Sequence, residues 1–231
     1  MVLTLPIRDV LPATPRARVV RLDLGGQAFP YVAGQAVRIG AHGGAKRKPY
    51  SIAAAPEDAR RDGWLELLVG LDELSPGPHV SLAAGQRVNV EGPLGAFTFP
   101  SNPIERRFVF IAGGTGIAPL RAMLRHALSI PHAEIGLLYS VRTPDEFAYE
   151  AELRSLARDR RIELRQTVTR EISATWTGAR GRISRDDLQP LVHDPATLCF
   201  ICGPPALVDE MPRLLQDLGI LRSRIRIEEW T

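Results

Sequence analysis

Two strand ends punctuated by glycine and proline constrain the fold of this chain more than any other feature. One is Ala112-Gly113-Gly114-Thr115-Gly116-Ile117-Ala118-Pro119, and the other is Cys202-Gly203-Pro204-Pro205. Each follows a short apolar run and leads into a pattern typical of a helix. Parallel α/β sheets bind ligands at the carboxyl ends of their strands, where glycine admits a ligand to the backbone and a helix N-terminus attracts phosphate. The two segments are therefore the first candidates for a ligand site.

The first hundred residues read as short strands broken by glycine and proline turns, with no convincing long helix. This pattern is typical of an antiparallel sandwich or barrel. The strands are predicted near 18–24, 34–39, 65–69 and 87–90.

From residue 107 onward, strands alternate with helices, which predicts a parallel sheet covered on both faces. The strands are predicted at 107–112, 134–139, 162–168, 198–202 and 225–230. Helices are predicted at about 120–128 and at 205–218, the second ending at Gly219. A third helix is expected to start at Thr143-Pro144-Asp145-Glu146, with Thr143 and Glu146 forming a capping box. The pattern changes near residues 100–103, so the predicted domains are 1–102 and 103–231.

Composition excludes several classes of protein. The net charge of +3 and the pI of about 9.2 favour anionic ligands, or reflect an arginine-rich solvated surface. Acidic residues are interspersed and no basic patch alternates with aromatics, so nucleic acid is not an expected partner. No apolar run approaches the roughly 20 residues that span a bilayer, so no membrane insertion is expected. The N-terminus lacks the apolar core of a signal peptide, which predicts a cytoplasmic protein.

The only two cysteines, Cys199 and Cys202, lie on one predicted strand. They could form a redox pair or half a metal site. The simpler interpretation is preferred, because a spacing of three places their side chains on opposite faces of a strand. With no further cysteine, the chain cannot hold its own iron–sulfur cluster, and no metal site is predicted.

An ordered set of motifs gives the chain a resemblance to the ferredoxin–NADP reductase family along nearly its whole length. The set comprises Lys48-Pro49-Tyr50-Ser51, Ser75, the segment from Glu91 to Phe97, and the two strand ends. The resemblance implies an N-terminal antiparallel barrel that binds FAD and a C-terminal α/β domain that binds a nicotinamide dinucleotide.

The resemblance also implies roles for residues of the barrel. Tyr50 would pack against the isoalloxazine ring, and Ser51 would offer a hydroxyl near flavin N5. Lys48 stands where the family usually has arginine; it supplies positive charge to the pyrophosphate without the bidentate fork. Ser75 would contact a phosphate. The alternatives are a surface basic cluster before a strand for the first motif and an ordinary turn serine for Ser75.

In the α/β half, the resemblance implies that Gly114, Thr115 and Gly116 approach the dinucleotide pyrophosphate. Thr115 would also lie near the nicotinamide. Cys202 would stand beside the reacting nicotinamide carbon, its alternative role being a small buried hydrophobic residue. That simpler role is preferred for Cys199.

The nicotinamide is expected to be NADPH rather than NADH. Thr169 and Arg170 match the Ser-Arg pair that NADPH-using members place on the 2′-phosphate, and Arg182 would add a second cation. Arg142 is a weaker candidate for the same role. Glu171 adjoins this site and argues for NADH, since carboxylates commonly bind the ribose hydroxyls of NADH.

The end of the chain, Arg226-Ile227-Glu228-Glu229-Trp230-Thr231, resembles the Glu-x-Tyr end of plant-type members. Glu228 would belong to a proton network and Trp230 would cover the flavin. Here one residue follows the aromatic and the ring is indole, so the alternative is a frayed terminus with an edge tryptophan.

The expected activity is hydride transfer from NADPH to FAD. Electrons then pass to a separate carrier: ferredoxin or another small iron–sulfur protein, flavodoxin, or an oxygenase component. Ser51, Cys202 and Glu228 are the candidate catalytic residues. The first alternative is a reductase of free flavin. The second is a non-catalytic electron-transfer or regulatory subunit that has kept the fold but not nicotinamide binding.

Overall fold

A computed structural model describes the chain over residues 1–71, 82–170 and 176–229. Its contacts divide the chain into two compact units. The first contains Met1–Phe99 and Arg121–His126, and the second contains Pro100–Leu120 and Ala127–Thr231.

The first unit is built on a six-stranded antiparallel sheet in the order β4-β3-β6-β1-β2-β5. Its strands are β1 (Val2–Thr14), β2 (Ala17–Asp23), β3 (Ala36–Ala41), β4 (Lys48–Ser51), β5 (Trp64–Gly70) and β6 (Arg87–Leu94). A bridge between Ile52 and Leu67 joins the two outer strands and closes the sheet into a barrel. The predicted antiparallel barrel is therefore confirmed.

Alternating side chains fill the interior of this barrel. On β2, Val20 and Leu22 are almost fully buried, and they pack with Leu65 and Leu67 of β5 in one apolar core. This alternation of Val20 and Leu22 is what the sequence predicted for 18–24. The apolar run predicted at 65–69 is buried throughout as part of β5.

Three elements of the first unit were not predicted: β1, the four-residue β4 and α1. Strand β1 carries Pro6 and Pro12 and alternates poorly, which hides it from a period-two search. Helix α1 (Pro56–Asp62) is only seven residues long, too short for a helical apolar period. Gly63 ends α1 with a φ of 80°, in the left-handed conformation that glycine adopts without strain.

The second unit is built on a six-stranded parallel sheet in the order β10-β9-β8-β7-β11-β12. Its strands are β7 (Arg107–Gly113), β8 (Glu134–Val141), β9 (Glu163–Val168), β10 (Ala179–Arg180), β11 (Leu198–Gly203) and β12 (Ile225–Glu229). The helices are α2 (Ile117–Ala127), of which Arg121–His126 is assigned to the first unit, α3 (Glu150–Arg158), α4 (Arg185–Leu188) and α5 (Pro205–Asp217). This confirms the predicted parallel α/β fold.

The central strands β7 and β11 are continuously apolar because both of their faces are buried. Helix α5 buries Val208, Met211 and Leu215, which are three and four residues apart and so lie on one face, in the apolar core. Gly219, just beyond it, has a φ of 93°, as expected for the predicted helix end.

The predicted capping box at Thr143 is wrong. The Thr143 hydroxyl donates to the Asp145 carboxylate at 2.5 Å, and the Glu146 carboxylate accepts from the Arg142 N–H. The Thr143 side chain thus caps no backbone N–H, residues 144–146 form only a 3₁₀ turn, and α3 begins at Glu150. The structure has a capping box at α4 instead, between Ser184 and Asp187.

Within the described parts of the chain, no helix has both the length and the apolar character needed to cross a membrane.

Candidate functional site

The carboxyl ends of β7 and β11 meet backbone to backbone at the centre of the parallel sheet. Cys202 lies in register with Ala112. A Cβ atom on Gly116 would stand 2.3 Å from the Cys202 carbonyl oxygen, and one on Gly203 would stand 3.0 Å from the Gly113 Cα. Glycine is thus required at 116 and 203 by packing between the strand ends. Gly116, predicted to approach a pyrophosphate, is buried against this backbone.

Gly114 and Thr115 form the exposed part of the glycine turn. Gly114 has a φ of 54°, and nothing lies within 4 Å of the position that its Cβ would take. Residues 114–116 make a 3₁₀ turn that leads directly into α2, and no side chain caps its start. A helix N-terminus of this kind presents backbone N–H groups and partial positive charge to an anion. The open face of the predicted phosphate site therefore consists of Gly114 and Thr115.

The two cysteines are both fully buried and do not form a disulfide. Cys199 belongs to the apolar core beneath α5, where burial raises the pKa of its thiol to about 12. Phe200 stacks on Phe110 in the sheet, and strand alternation places Cys202 on the same face as Phe200. The cysteines thus lie on opposite faces, as their spacing predicted, and Cys202 is the one at the strand end.

Glu228 lies on β12 directly beside Cys202 in the parallel register. Its Oε2 atom is buried and has no hydrogen-bond partner among the described residues. Burial raises the pKa of the Glu228 carboxyl to about 7, because removing a carboxylate from water disfavours its charged form. The end of β12, beside Cys202, therefore carries a carboxyl group, that of Glu228, whose pKa lies near neutral pH.

Three arginines follow the ends of three neighbouring strands on the other half of the sheet. The Arg170 N–H donates to the Arg142 carbonyl at 2.8 Å, so these residues are neighbours just past β9 and β8. Arg180 pairs with Val168 at the end of β10, and Arg182 follows Arg180 by two residues. All three arginines that follow the strands, Arg142, Arg170 and Arg182, are exposed. The carboxyl ends of three neighbouring strands are thus each followed by an exposed arginine. We call the row of strand carboxyl ends the sheet edge, and these three arginines its cationic end.

Thr169 is exposed and precedes Arg170, but its hydroxyl donates to the Val141 carbonyl at 3.3 Å. This bond, with the 2.9 Å bond from the Thr169 N–H to the same oxygen, holds the end of β9 against β8. Thr169 thus fixes the position from which Arg170 projects.

The predicted flavin motif, Lys48–Ser51, forms strand β4 of the barrel. Tyr50 is half-buried and packs on the barrel core, and burial raises the pKa of its phenol. The Ser51 hydroxyl is buried and has no hydrogen-bond partner within the described chain. The Arg47 Nε atom is likewise buried and unpartnered there, although another nitrogen of its guanidinium donates to Glu91 at 2.9 Å. Lys48 is partly buried on the same strand.

The sequence did not reveal the ionic cluster that holds the chain after Ser51. The Arg121 guanidinium donates to the Ala53 carbonyl at 2.7 Å and to the Glu66 carboxylate at 2.9 Å. The Ala53 N–H donates to the Glu66 carbonyl, and Arg21 pairs with the same carboxylate at 2.9 Å. Arg121 and Glu66 are both nearly fully buried. A charged residue among the apolar residues of α2 was the one available signal.

Two predicted site residues, Ser75 and Trp230, lie outside the described residues, as does Glu171.

The sequence matches the model of the oxidoreductase NAD-binding domain over residues 110–212. It is 32% identical to ferredoxin–NADP reductase B of Sorangium cellulosum, an alignment that covers 96% of this chain and 94% of the relative. It is 29% identical to NADH-cytochrome b5 reductase 1 of Pyricularia oryzae over 70% of this chain and 55% of that protein.

Among solved structures, a cytochrome P450 reductase of Amycolatopsis superposes with a TM-score of 0.86 at 28% identity. The match covers 99% of this chain and 69% of that one.

Proposed function

The chain belongs to the ferredoxin–NADP reductase family, and we propose that it is an FAD-dependent reductase that takes a hydride from NADPH and passes electrons to a separate protein carrier. The family assignment establishes an oxidoreductase with an NAD(P)-binding domain in a family that binds FAD. The choice of NADPH, the carrier and the role of each residue are parts of the proposal. The observation that carries it is the sheet edge, where an uncapped glycine turn, Cys202 and Glu228 stand on adjacent strands.

The barrel contains groups that fit a flavin. Buried polar atoms without partners carry a free-energy cost of roughly 1–3 kcal/mol, which a bound ligand can relieve. The Ser51 hydroxyl and the Arg47 Nε are two such atoms on one short segment, and the half-buried Tyr50 ring lies between them in sequence. In the proposal Tyr50 offers an aromatic surface, Ser51 a hydrogen bond to the ring, and Lys48 with Arg47 positive charge for the phosphates.

The sheet edge contains groups that fit the dinucleotide. Gly114 and Thr115 would bind the pyrophosphate through backbone N–H groups. Cys202 and Glu228 would border the nicotinamide, Cys202 by contact and Glu228 by holding or releasing a proton at its carboxyl. The cofactors supply hydride and single-electron chemistry when bound, and the protein supplies orientation and electrostatics.

NADPH is proposed over NADH because of the cationic end of the sheet edge. Three exposed arginines that follow the ends of neighbouring strands suit a phosphate, for which arginine is the favoured partner. The name of the Sorangium relative includes NADP, which supports this choice, whereas the cytochrome b5 reductase relative is named for NADH.

The Arg170→Ala variant should lose much of the preference for NADPH. A charge-assisted bond to phosphate contributes about 1.5–3 kcal/mol, so the ratio of kcat/KM for NADPH over NADH should fall about ten- to a hundredfold. The Arg165→Ala variant is the control, because Arg165 lies within β9 and pairs with Glu163. Steady-state kinetics with both nucleotides test the prediction. An unchanged ratio in Arg170→Ala would exclude Arg170 as the phosphate-binding residue.

The Cys202→Ala variant should slow flavin reduction by NADPH while FAD stays bound, because it removes a side chain that borders the proposed nicotinamide position. Cys199→Ala is the matched control, since Cys199 lies on the opposite face of the same strand in the core. Anaerobic stopped-flow reduction compares the two. Equal rates for Cys202→Ala and wild type would favour a packing role for Cys202.

Glu228→Gln should become progressively more stable than wild type as the pH rises. Burial raises the folded-state pKa of Glu228 to about 7, whereas an unfolded glutamate titrates near 4.5. Between these values only the folded state holds the proton, so the wild-type free energy of unfolding declines as the pH rises from about 5 to 8. Glutamine cannot ionise and should remove this part of the decline. Urea unfolding at pH 5.5 and pH 8 tests it, and parallel pH dependences would contradict the shift.

One experiment tests the proposed function as a whole: the absorption spectrum of the purified protein before and after anaerobic addition of NADPH. We expect about one FAD per chain, bleaching on NADPH addition, and cytochrome c reduction that increases strongly with an added iron–sulfur carrier. A colourless protein that stays apo in excess FAD would refute it. Faster consumption of free flavin than of any carrier would favour a free-flavin reductase, and bound flavin that NADPH does not bleach would favour a non-catalytic subunit.

A further inference from the structure

Tyr139 on β8 has a fully buried side chain whose hydroxyl reaches the glycine turn. The hydroxyl donates to the Gly114 carbonyl oxygen at 3.0 Å and accepts from the Ala148 N–H at 3.3 Å. The hydroxyl proton therefore has one defined direction, toward Gly114. The Gly114 carbonyl also accepts from the Ile117 N–H, so two donors hold it on the inner side of the turn.

Holding this carbonyl inward determines where the next N–H points. A trans peptide unit is planar, and its C=O and N–H point in opposite directions. The Gly114 carbonyl and the Thr115 N–H belong to one such unit. With the carbonyl bound inside, the Thr115 N–H is directed to the outside, where Gly114 and Thr115 are exposed.

We propose that Tyr139 is a positioning residue for the dinucleotide: its hydroxyl fixes the Gly114–Thr115 peptide so that the Thr115 N–H is preset to bind the pyrophosphate. This inference rests on the proposed function. It assigns a role to a residue that does not itself touch the ligand. An N–H donor that is already oriented loses little conformational entropy when the ligand binds, and the smaller loss increases the affinity for the dinucleotide.

The position of the Tyr139 hydroxyl is itself fixed by aromatic packing. The Tyr139 ring meets Phe147 edge to face at 5.2 Å, and Phe147 stacks on Trp176 at 5.5 Å. The Trp176 indole N–H donates to the Ala179 carbonyl at 3.0 Å, which ties the ring to the start of β10. The hydroxyl therefore has little freedom to leave the Gly114 carbonyl.

The test compares Tyr139→Phe with a matched control, Thr197→Val. Tyr139→Phe keeps the ring and deletes only the hydroxyl. Thr197 is also buried and donates its hydroxyl to a backbone carbonyl, that of Asp194 at 2.7 Å, but it precedes β11 and so lies at the opposite edge of the same sheet. Both variants lose one buried hydroxyl–carbonyl bond. Only Tyr139→Phe loses it at the glycine turn.

Isothermal titration with NADP⁺ and NAD⁺ gives the primary readout, with KM and kcat as the second. Tyr139→Phe should weaken the binding of both nucleotides by a similar factor of about ten, because both contain the pyrophosphate. The KM should rise by a similar factor, kcat and FAD content should stay within about twofold, and the ratio between NADPH and NADH should not change. Thr197→Val should bind both nucleotides as wild type does.

Each alternative result has one meaning. Wild-type affinity in Tyr139→Phe, or an equal loss in Thr197→Val, would overturn the positioning role and leave the proposed function intact. Wild-type protein that binds neither nucleotide would instead refute the proposed function and this inference with it.

A measurement on the wild-type protein keeps the inference testable if Tyr139→Phe does not fold. Saturation with NADP⁺ should shift the amide resonance of Thr115 and slow its exchange with solvent, because that N–H becomes a hydrogen-bond donor to the ligand. A Thr115 amide that keeps its resonance and exchange rate while NADP⁺ binds would overturn the proposal.

Discussion

Replacing Gly116 with alanine should destabilise the parallel-sheet unit by about 3 kcal/mol, at the upper end of the usual cost of overpacking. The new Cβ would lie 2.3 Å from the Cys202 carbonyl oxygen and 2.9 Å from the Gly203 Cα. Both are backbone atoms of a central strand, so no rotamer change relieves the contact. The glycine turn after β7 must then move away from the end of β11, and we expect the proposed reduction by NADPH to be lost.

Gly136→Ala is the control for Gly116→Ala. It also adds a methyl group within this sheet, but the nearest atom, 3.1 Å away, is the end of the Leu191 side chain, which can move. Its effect should stay within about 1 kcal/mol. Urea unfolding followed by far-UV circular dichroism gives both values. Equal free energies of unfolding for the two variants would show that the backbone around Gly116 accommodates a methyl group at little cost, which would contradict the packing role of Gly116.

Arg121→Met should lower the free energy of unfolding of the barrel unit by about 3 kcal/mol, because breaking a buried ion pair leaves uncompensated polar groups behind. Glu66 would keep Arg21 as a partner, but the Ala53 carbonyl would lose its Arg121 donor. Since Ala53 lies two residues after Ser51, the proposed flavin segment should loosen as well. We therefore expect weaker FAD retention alongside the lower stability.

Arg154→Met is the matched control. Arg154 pairs with Glu150 at 2.7 Å, but both side chains are substantially exposed on the surface of α3. Such pairs contribute about 0.3–0.5 kcal/mol. Thermal unfolding and FAD titration of both variants test the difference, and a loss below about 1 kcal/mol in Arg121→Met would contradict the importance of the buried cluster.

The sequence predicted the elements whose signal is local. Strands β2, β5, β7 and β11 carry regular apolar patterns, and α5 has both its apolar spacing and Gly219 beyond its end. Elements without such a signal were missed, as α1 was through its seven-residue length. At Thr143 the local motif was present, but the Thr143 hydroxyl donates to Asp145 and accepts no hydrogen bond from a backbone N–H at the start of the turn.

The candidate site shows the same limit. The glycine pattern correctly indicated a turn at 114–116, but it could not show that Gly114 is open whereas Gly116 is packed against other backbone. Gly116 must be glycine because the Cys202 carbonyl, far along the chain, lies against it in the fold. Tyr139 and Arg121 were missed for the same reason. Their polar partners, the Gly114 and Ala53 carbonyls, become neighbours only through the fold.

The close backbone contact at Gly116 and Gly203 has a consequence for redesigning this protein. The two central strand ends tolerate almost no new side chains, so random libraries at these positions should yield mostly non-folding variants. Arg142, Arg170 and Arg182 are exposed and follow the ends of β8, β9 and β10, so their substitution should disturb no packed interior. Under the proposed function, nucleotide preference should therefore be open to change by a few surface substitutions at these arginines, while the packed ends of β7 and β11 stay unchanged.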